Sequence, residues 1–448
     1  MHASGGPLWA EAPGAWDGDG AWDGDGVGKE TLMSKRIAAV AAAVLLSLAC
    51  MVFAVLGGGV AQLPSGELRS AYPGYDEVAS WNFMAGQYRS LRDAGKKPRL
   101  VFGSSELKSK TAGAAHPGRL FADGRYGETS VIAGRAGVND LWQAIEVGAF
   151  APEMPREDRR AVIFVSMQWF MCYRDPSSTF PGVFSQGAYD AFMGNEAISD
   201  DVKSRVAERV RAYGVSDAEV SGEGPLVQAI SGIDRAASSL ASDVRLAASL
   251  RWKDAHREPA RTEGGSRMPM DHGLAVPDGG AGAPGAHGPS TDSAPDWQAL
   301  IAEGRACAER ASQGNEYGFY DSWYRSSYRG WLAGAQKNWE VADGEYWSAE
   351  ELEDFELMLE VCRQTGVEPL VVIQPVKGAA YDQTAYTRDV RADYYDMIRT
   401  ACSRAGARVA DFSDKEYDPL FLRDYSHPSA YGSACYSQAM WEFWTASE

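Results

Sequence analysis

The chain has 448 residues, of which 45% are hydrophobic and 14 are tryptophan, and its formal net charge at pH 7 is −18. Its length suits one large domain with insertions or two domains, and its apolar content excludes a largely disordered chain. The acidic balance argues against nucleic acid as a main partner, because no basic surplus is available to displace counterions from a phosphate backbone. The six cysteines contain no C-x-x-C pair, which argues against a zinc ribbon or a thioredoxin-type site, and a disulfide is possible but not predicted. No metal site and no cofactor are predicted.

Residues 1–34 are predicted to be a disordered N-terminal segment. The hexapeptide AWDGDG occurs twice in tandem over residues 15–26, and such low-complexity sequence cannot bury a core. Met33 stands just before a basic pair and a long apolar run. Translation that starts at Met33 rather than Met1 is therefore a second hypothesis.

Residues 35–60 are predicted to be a transmembrane anchor. Ile37–Leu56 is a run of twenty residues without a charge, and Lys35 and Arg36 precede it. This length crosses the hydrocarbon core of a bilayer, and the basic flank predicts a cytoplasmic N-terminus with residues 61–448 outside the cell. A cleaved signal peptide is the alternative, because the letters GVAQ after the run resemble a cleavage site. The run, however, exceeds the usual signal core of about 7–15 residues.

The rest of the chain is predicted to be an α/β domain. Five apolar, β-branched runs have the character of buried strands: Arg99–Phe102, Thr129–Ile132, Ala161–Val165, Pro369–Ile373 and Ala407–Phe412. Amphipathic helices are predicted over Asn139–Phe150, Thr387–Ala405 and Ala430–Trp444. Continuous apolar strands that alternate with helices indicate a parallel sheet covered on both faces, which is a three-layer α/β domain.

A large helical insertion, about residues 175–365, is predicted to split this domain between the third and fourth strands. Apolar side chains from Ile230 to Val244 follow an i, i+3, i+4 register, which is typical of a helix. Residues 254–296 are dense in Gly, Ala and Pro and contain no aromatic residue. This composition indicates a flexible linker.

A catalytic serine is indicated by two stretches that lie far apart in the chain. The letters GSSEL place Ser104 and Ser105 at the carboxyl end of the first predicted strand, where α/β sheets bind ligands. The letters RDYSH place Asp424 three residues before His427, so the carboxylate can orient an imidazole that serves as base for a serine. An N-cap and a turn residue would explain the two serines alone, but the D-x-x-H pair favours catalysis. His116, which precedes a proline, is interpreted as a turn histidine.

This order of motifs resembles the SGNH (GDSL-type) hydrolase superfamily, in which G-D-S-x follows the first strand and D-x-x-H closes the domain. The resemblance implies a flavodoxin-like parallel sheet, and it makes Ser105 the nucleophile, with Ser104 in place of the usual aspartate. It also implies that Gly134 and Gly137 form the glycine block that supplies an oxyanion donor. Asn139 is then expected only to open the next helix.

Further motifs are similar to those of the DltD family of D-alanyl-lipoteichoic acid biosynthesis proteins. They are FGSSEL, AAHPGRL, GRAG, SMQWF, QPVKGAAYD and RDYSH, and they span nearly the whole domain. The resemblance implies D-alanyl transfer to (lipo)teichoic acid at the outer membrane face through a D-alanyl-Ser105 intermediate, with His427 as base and Asp424 orienting it. The implied partners are a membrane-bound O-acyltransferase, a D-alanyl carrier protein system, the teichoic acid polymer and the membrane. Met167 departs from the family pattern, which has proline there.

Several residues are expected around the triad, some from the resemblance and two, Gln374 and Tyr381, because they follow the fourth predicted strand. Those expected to hold the oxyanion or line the crevice are Gly134, Gly137, Gln168, Trp169, Gln374 and Tyr381. The amides of Ser105 and Gly137, with the Gln168 side chain, are the expected oxyanion donors. Trp169 fits a core position as well as a pocket wall, and Glu106 is expected to be a solvated residue of the first helical turn.

Two other functions are compatible with the sequence. An SGNH-type esterase or thioesterase that hydrolyses D-alanyl esters or carrier thioesters would use the same triad and differ only in its acceptor. A thioesterase acting on a cytoplasmic carrier would need its catalytic domain inside the cell, contrary to the basic flank of the anchor. A non-catalytic membrane scaffold of the D-alanylation machinery is the second alternative, and in it Ser105 would be incidental.

Overall fold

The computed structural model describes residues 72–108, 112–216, 220, 294–339, 341 and 344–446. The predicted N-terminal segment, the predicted anchor, the apolar register from Ile230 to Val244 and most of the predicted linker lie outside these residues. In the part of the chain that is described, no helix combines the length and the apolar character that crossing a bilayer requires. The anchor and the topology derived from it stay predictions.

The domain is built on a parallel sheet. Its strands are β1 (Pro98–Phe102), β2 (Thr129–Ala133), β3 (Arg160–Val165), β4 (Glu368–Ile373) and β5 (Arg408–Asp411). They run in the order β2-β1-β3-β4-β5, and every neighbouring pair is parallel. Each strand begins and ends within one residue of its predicted run, so the predicted parallel α/β sheet is confirmed. Because β2 and β3 pair with opposite edges of β1, the chain changes direction across the sheet there, which opens a crevice beyond the carboxyl end of β1.

Helices connect the strands. The longer ones are α1 (Trp81–Asp93), α2 (Asp140–Phe150), α3 (Gln186–Met193), α4 (Asp200–Ala212), α5 (Trp297–Ala311), α6 (Arg329–Asn338), α7 (Ala349–Thr365), α8 (Arg388–Ala405) and α9 (Ala430–Thr445). Short helical turns occupy Tyr75–Val78, Ser105–Leu107, Pro117–Leu120, Ala151–Glu153, Met167–Phe170, Pro176–Ser178, Phe180–Gly182, Asp321–Trp323, Tyr324–Tyr328, Gly378–Tyr381 and Ser413–Lys415. The three helices predicted from the sequence correspond to α2, α8 and α9.

Local chemistry sets the ends of these helices. The Asn139 side chain accepts a hydrogen bond from the Trp142 N–H (3.2 Å) at the start of α2, which confirms that Asn139 opens this helix. Ser429 caps α9 in the same way. Gly366 and Gly406 follow α7 and α8 with φ of +69° and +68°, a conformation that favours glycine and ends a helix.

The sheet separates two hydrophobic cores, which makes the domain three-layered as predicted. Leu100 and Phe102 of β1 point into the first core, which α2, α7 and α8 cover. Val101 points to the opposite face, into a second core covered by α5 and α9. In this second core Phe164 packs edge-on against Tyr436, with ring centroids 5.3 Å apart. Complete burial of each such side chain contributes about 1.5–3 kcal/mol to folding.

The described part of the predicted insertion is helical, and it contacts both cores. Helix α7, the last helix of the predicted insertion, packs on α2 in the first core. Helix α5 packs on α9 in the second core, where Gly304 lies so close that a side chain there would meet the Ala430 carbonyl. These contacts join the insertion to the helix that follows the D-x-x-H pair.

Candidate active site

Ser105 stands in a tight turn at the carboxyl end of β1. The strand ends at Phe102, and Ser105 begins a three-residue 3-10 helix that ends at Leu107. Gly103 lies between them, and a Cβ at this position would lie 2.5 Å from the Glu106 Oε1 atom and 2.6 Å from the Leu107 Cδ1 atom, so a side chain there would displace both of these side chains. The turn therefore aims the Ser105 hydroxyl into the crevice beyond the sheet.

Three predicted residues come together at this turn. The Ser105 Oγ atom lies 2.8 Å from His427 Nε2, although 322 residues separate them in the chain. Both Asp424 carboxylate oxygens lie 2.9 Å from His427 Nδ1. These distances suit a hydrogen-bonded relay in which Ser105 donates to His427 and His427 donates to Asp424.

Asp424 is held as a carboxylate by its surroundings. It is 5% exposed, and it accepts hydrogen bonds from the N–H groups of Ser426 (3.0 Å) and His427 (2.8 Å). Burial opposes ionisation, but the charge and hydrogen bond of His427, together with Arg423 and the Ser426 amide, hold the pKa of Asp424 well below its usual range. A permanently charged Asp424 fixes the tautomer of His427 that leaves Nε2 free to accept the serine proton.

A cavity of about 310 Å³ opens over the triad. Of the predicted residues, those that line it are Ser105, Gly137, Gln168, Trp169, Gln374 and His427. Gly134, Tyr381 and Asp424 do not line it. In the described part of the chain, no group of His, Cys, Asp and Glu side chains could hold a metal ion.

The two glycines after β2 have different surroundings. Gly134 has φ of +148°, and a Cβ there would lie 1.7 Å from the Gly103 carbonyl oxygen. Its role in the fold is to let the end of β2 approach the turn that carries the serine. Gly137 has φ of +103° and lies on the cavity wall, so its backbone faces the space beside Ser105.

Comparison with known proteins shows the family of the chain. The family model described as DltD protein matches residues 79–445. The chain belongs to the DltD family. It is 26% identical over 367 residues to Protein DltD of Bacillus subtilis (strain 168), a match that covers 80% of this chain and 84% of that protein. It is 19% identical over 347 residues to Protein DltD of Staphylococcus aureus (strain NCTC 8325 / PS 47), covering 73% of this chain and 76% of that protein. The predicted resemblance to the DltD family is confirmed.

The SMQWF motif of this DltD family member forms one wall of the cavity. The Gln168 side-chain amide donates a hydrogen bond to the Tyr381 hydroxyl (3.0 Å). Tyr381 is completely buried and packs against Trp331 and Trp339. Tyr381 thus lies behind the wall, where it fixes the orientation of Gln168. Trp169 is both a core residue and part of the wall.

Glu106 is buried rather than solvated, and Gln374 lies beside it on the cavity wall. The expectation that Glu106 is solvated is wrong, because it is 4% exposed. A 3-10 turn of three residues turns its side chain inward, where its carboxylate accepts a hydrogen bond from the Ser104 N–H. The Gln374 side chain, on the segment after β4, hydrogen-bonds to the same carboxyl group. Burial raises the pKa of Glu106, against these hydrogen bonds.

Lys377, which the sequence analysis did not single out, holds the loop before the triad pair. It is 2% exposed, and its ammonium donates hydrogen bonds to the carbonyls of Pro419 and Leu422, both at 2.9 Å. It also approaches the carbonyl of Gly318 in the insertion (3.5 Å). A lysine in the family motif QPVKGAAYD was visible in the sequence, but nothing in the pattern indicated its burial.

The insertion contacts the same loop directly. The Tyr320 N–H donates a hydrogen bond to the Arg423 carbonyl (2.8 Å), and the Tyr320 hydroxyl accepts one from the Ala430 N–H (3.2 Å). A side chain at Gly318 would lie 2.0 Å from the Pro419 carbonyl. The loop that presents Asp424 is therefore packed between the sheet domain and the insertion.

His116 is a structural histidine, as predicted. The Gly118 N–H donates to its Nδ1 (3.1 Å), so its Nε2 carries the proton and donates to the Leu107 carbonyl (2.7 Å). Burial lowers the pKa of His116 to about 3, which keeps the ring neutral. It closes the far end of the 3-10 turn that begins with Ser105.

Proposed function

We propose that the protein transfers D-alanyl groups to teichoic acid through a D-alanyl-Ser105 intermediate. The DltD family is involved in the D-alanylation of teichoic acid, and the chain belongs to that family. The observation that carries the finer proposal is the hydrogen-bonded series Ser105–His427–Asp424, of which Ser105 and His427 line a cavity. Such a series activates a serine for attack on a carbonyl carbon.

In the first half of the reaction, the Ser105 oxygen attacks the carbonyl carbon of a D-alanyl ester or thioester while His427 Nε2 takes the serine proton. The Ser105 and Gly137 amides and the Gln168 side chain stabilise the resulting oxyanion. A donor of this kind lowers the barrier by about 3–4 kcal/mol. The intermediate then collapses, the donor alcohol or thiol leaves with the proton from His427, and the D-alanyl group stays on Ser105.

In the second half, a polyol hydroxyl of the polymer gives its proton to His427 and attacks the D-alanyl-serine ester. Collapse releases Ser105, which regains the proton from His427. Arg174 lines the cavity, and its guanidinium forms no ion pair with the described residues. Because teichoic acids carry phosphodiesters, this free cation suits an anionic polymer as the acceptor.

The cellular arrangement in this proposal follows from the predicted anchor and from the family. The catalytic domain lies at the outer membrane face, and a membrane-bound O-acyltransferase delivers D-alanine that was activated on a carrier protein inside the cell. A hydrolase would use the same acyl-serine with water as acceptor. A scaffold would not need the contact between Ser105 and His427.

The test is the esterified D-alanine content of the teichoic acid fraction in cells that carry Ser105→Ala. Ser322→Ala, at an exposed serine on the turn Asp321–Trp323, is the matched control, and the amount of protein in the membrane is measured for both. We expect esterified D-alanine to disappear in Ser105→Ala and to persist in the control. Wild-type D-alanine with Ser105→Ala would refute the acyl-serine mechanism, and raised D-alanine would indicate a hydrolase.

A further inference from the structure

The carboxylate beside the nucleophile has no lysine or arginine partner among the described residues. Of the residues that line the cavity, Glu106 is the one acid, Arg174 is a cation and His427 is the proposed base. No lysine or arginine of the described residues forms an ion pair with it, and its hydrogen-bond donors are the Ser104 and Glu106 amides and Gln374. A carboxylate has about four lone-pair sites, so with these three donors about one site remains for a further donor.

Gln374 adds a second acceptor at the same place. It is 3% exposed and lines the cavity. Its amide nitrogen faces Glu106, and its Oε1 atom has no hydrogen-bond partner in the described part of the chain. Leaving such a buried acceptor unpaired is unfavourable. Next to Ser105, the cavity wall therefore carries a carboxylate with an acceptor site to spare and an amide whose oxygen has no donor among the described residues.

We propose that Glu106 and Gln374 form an ammonium-binding site that holds the free α-amino group of the acyl chain carried on Ser105. An α-ammonium has three N–H donors and no acceptor, which complements a carboxylate and an unpaired amide oxygen. In an aminoacyl ester this group is bonded to the carbon next to the reacting carbonyl. It therefore enters the cavity together with the carbon that Ser105 attacks.

Electrostatics favour a cation at this site. Burial disfavours the charged form of the Glu106 carboxyl, and an arriving ammonium compensates that cost. His427 also favours the charged form of Glu106, but as the proposed base it is not a fixed positive charge. The proposed site rests on the proposed function, because it would recognise the amine of a D-alanyl substrate. Acyl groups without an amine would lack this interaction.

A structural role for Glu106 would give a different pattern. Its hydrogen bond to the Ser104 N–H fixes the turn of the nucleophile. If this were its whole contribution, its loss would weaken the binding of every ester equally. A comparison of two isosteric ligands separates the roles: D-alanine methyl ester carries an ammonium, and methyl D-lactate carries a hydroxyl at the same position.

The experiment measures the dissociation constants of both esters by ligand-observed NMR. It uses full-length protein with Ser105→Ala, in which neither ester can acylate the enzyme, at a pH where the amine is protonated. We expect the ammonium ester to bind about tenfold tighter than the hydroxy ester, as one charge-assisted hydrogen bond allows. Adding Glu106→Gln is expected to bring the ratio of the two dissociation constants close to one. Adding Gln374→Met instead is expected to lower this ratio severalfold.

Equal affinities of the two esters for the Ser105→Ala protein would overturn the inference, as would an unchanged preference after Glu106→Gln. If Glu106→Gln does not fold, as judged by circular dichroism, the Gln374→Met variant decides in its place. Because binding is measured without the nucleophile, an ammonium preference can be present even where the D-alanine content test refutes the acyl-serine mechanism. The two proposals therefore fail separately.

Discussion

The buried ammonium of Lys377 predicts an unusual dependence of stability on pH. Burial lowers the pKa of Lys377 to about 7, against the attraction of Asp418 and Asp424. In the unfolded chain a lysine keeps its proton up to about pH 10.4. Between these two values the unfolded chain binds more protons than the folded chain, so the free energy of unfolding rises with pH. From about pH 7 to about pH 9 the rise attributable to Lys377 is about 2 kcal/mol.

The measurement is urea unfolding of the purified full-length protein at about pH 7 and about pH 9, compared with Lys377→Met. Other groups titrate in both proteins, so the difference between their pH responses isolates Lys377. We expect the rise in the free energy of unfolding to be about 2 kcal/mol smaller in Lys377→Met. Lys337→Met, at an exposed position on α6, should behave as wild type. Equal pH responses of wild type and Lys377→Met would refute this reasoning.

Three further predictions concern the site. Gly134→Ala should destabilise the protein by about 3 kcal/mol or more in thermal unfolding, because its Cβ would overlap the Gly103 carbonyl oxygen; an unchanged melting temperature would contradict this. Asp424→Asn should lower kcat of D-alanyl transfer about 10⁴-fold at unchanged fold, because His427 loses its orienting charge; near-normal turnover would exclude the triad. Arg174→Gln should raise KM for the polymer roughly three- to tenfold with little change in kcat, and a pure kcat defect would count against its role.

The sheet could be predicted closely because its strands carry an unambiguous signal. Residues such as Leu100 and Val101 are buried on opposite faces, so the strand appears as an unbroken apolar run in the sequence. The contact between Ser105 and His427 was also predictable, because the order of the GSSEL and RDYSH motifs resembles that of a known superfamily of serine hydrolases. The distances and angles between the Ser105 and His427 side chains, by contrast, depend on how all five strands are arranged in the sheet.

The predictions about single side chains were less successful where short turns decide orientation. Glu106 belongs to a turn of three residues, in which helical periodicity cannot be read. Tyr381 ends a four-residue helix that turns it into the core rather than the crevice. Lys377 finds its carbonyl partners 42, 45 and 59 residues away, so no local pattern could show that a lysine there would be buried.

The packing of Tyr320 and Gly318 against the loop that bears Asp424 has a consequence for how such proteins diversify. The insertion helps to position the loop that carries Asp424 and His427. Sequence changes in the insertion are therefore expected to change the catalytic rate. A chimera that receives the insertion of a distant relative would fold its sheet and yet misplace His427. Activity would return only when the segment around Pro419 and Arg423 was exchanged with it, and the two segments would be inherited as one unit.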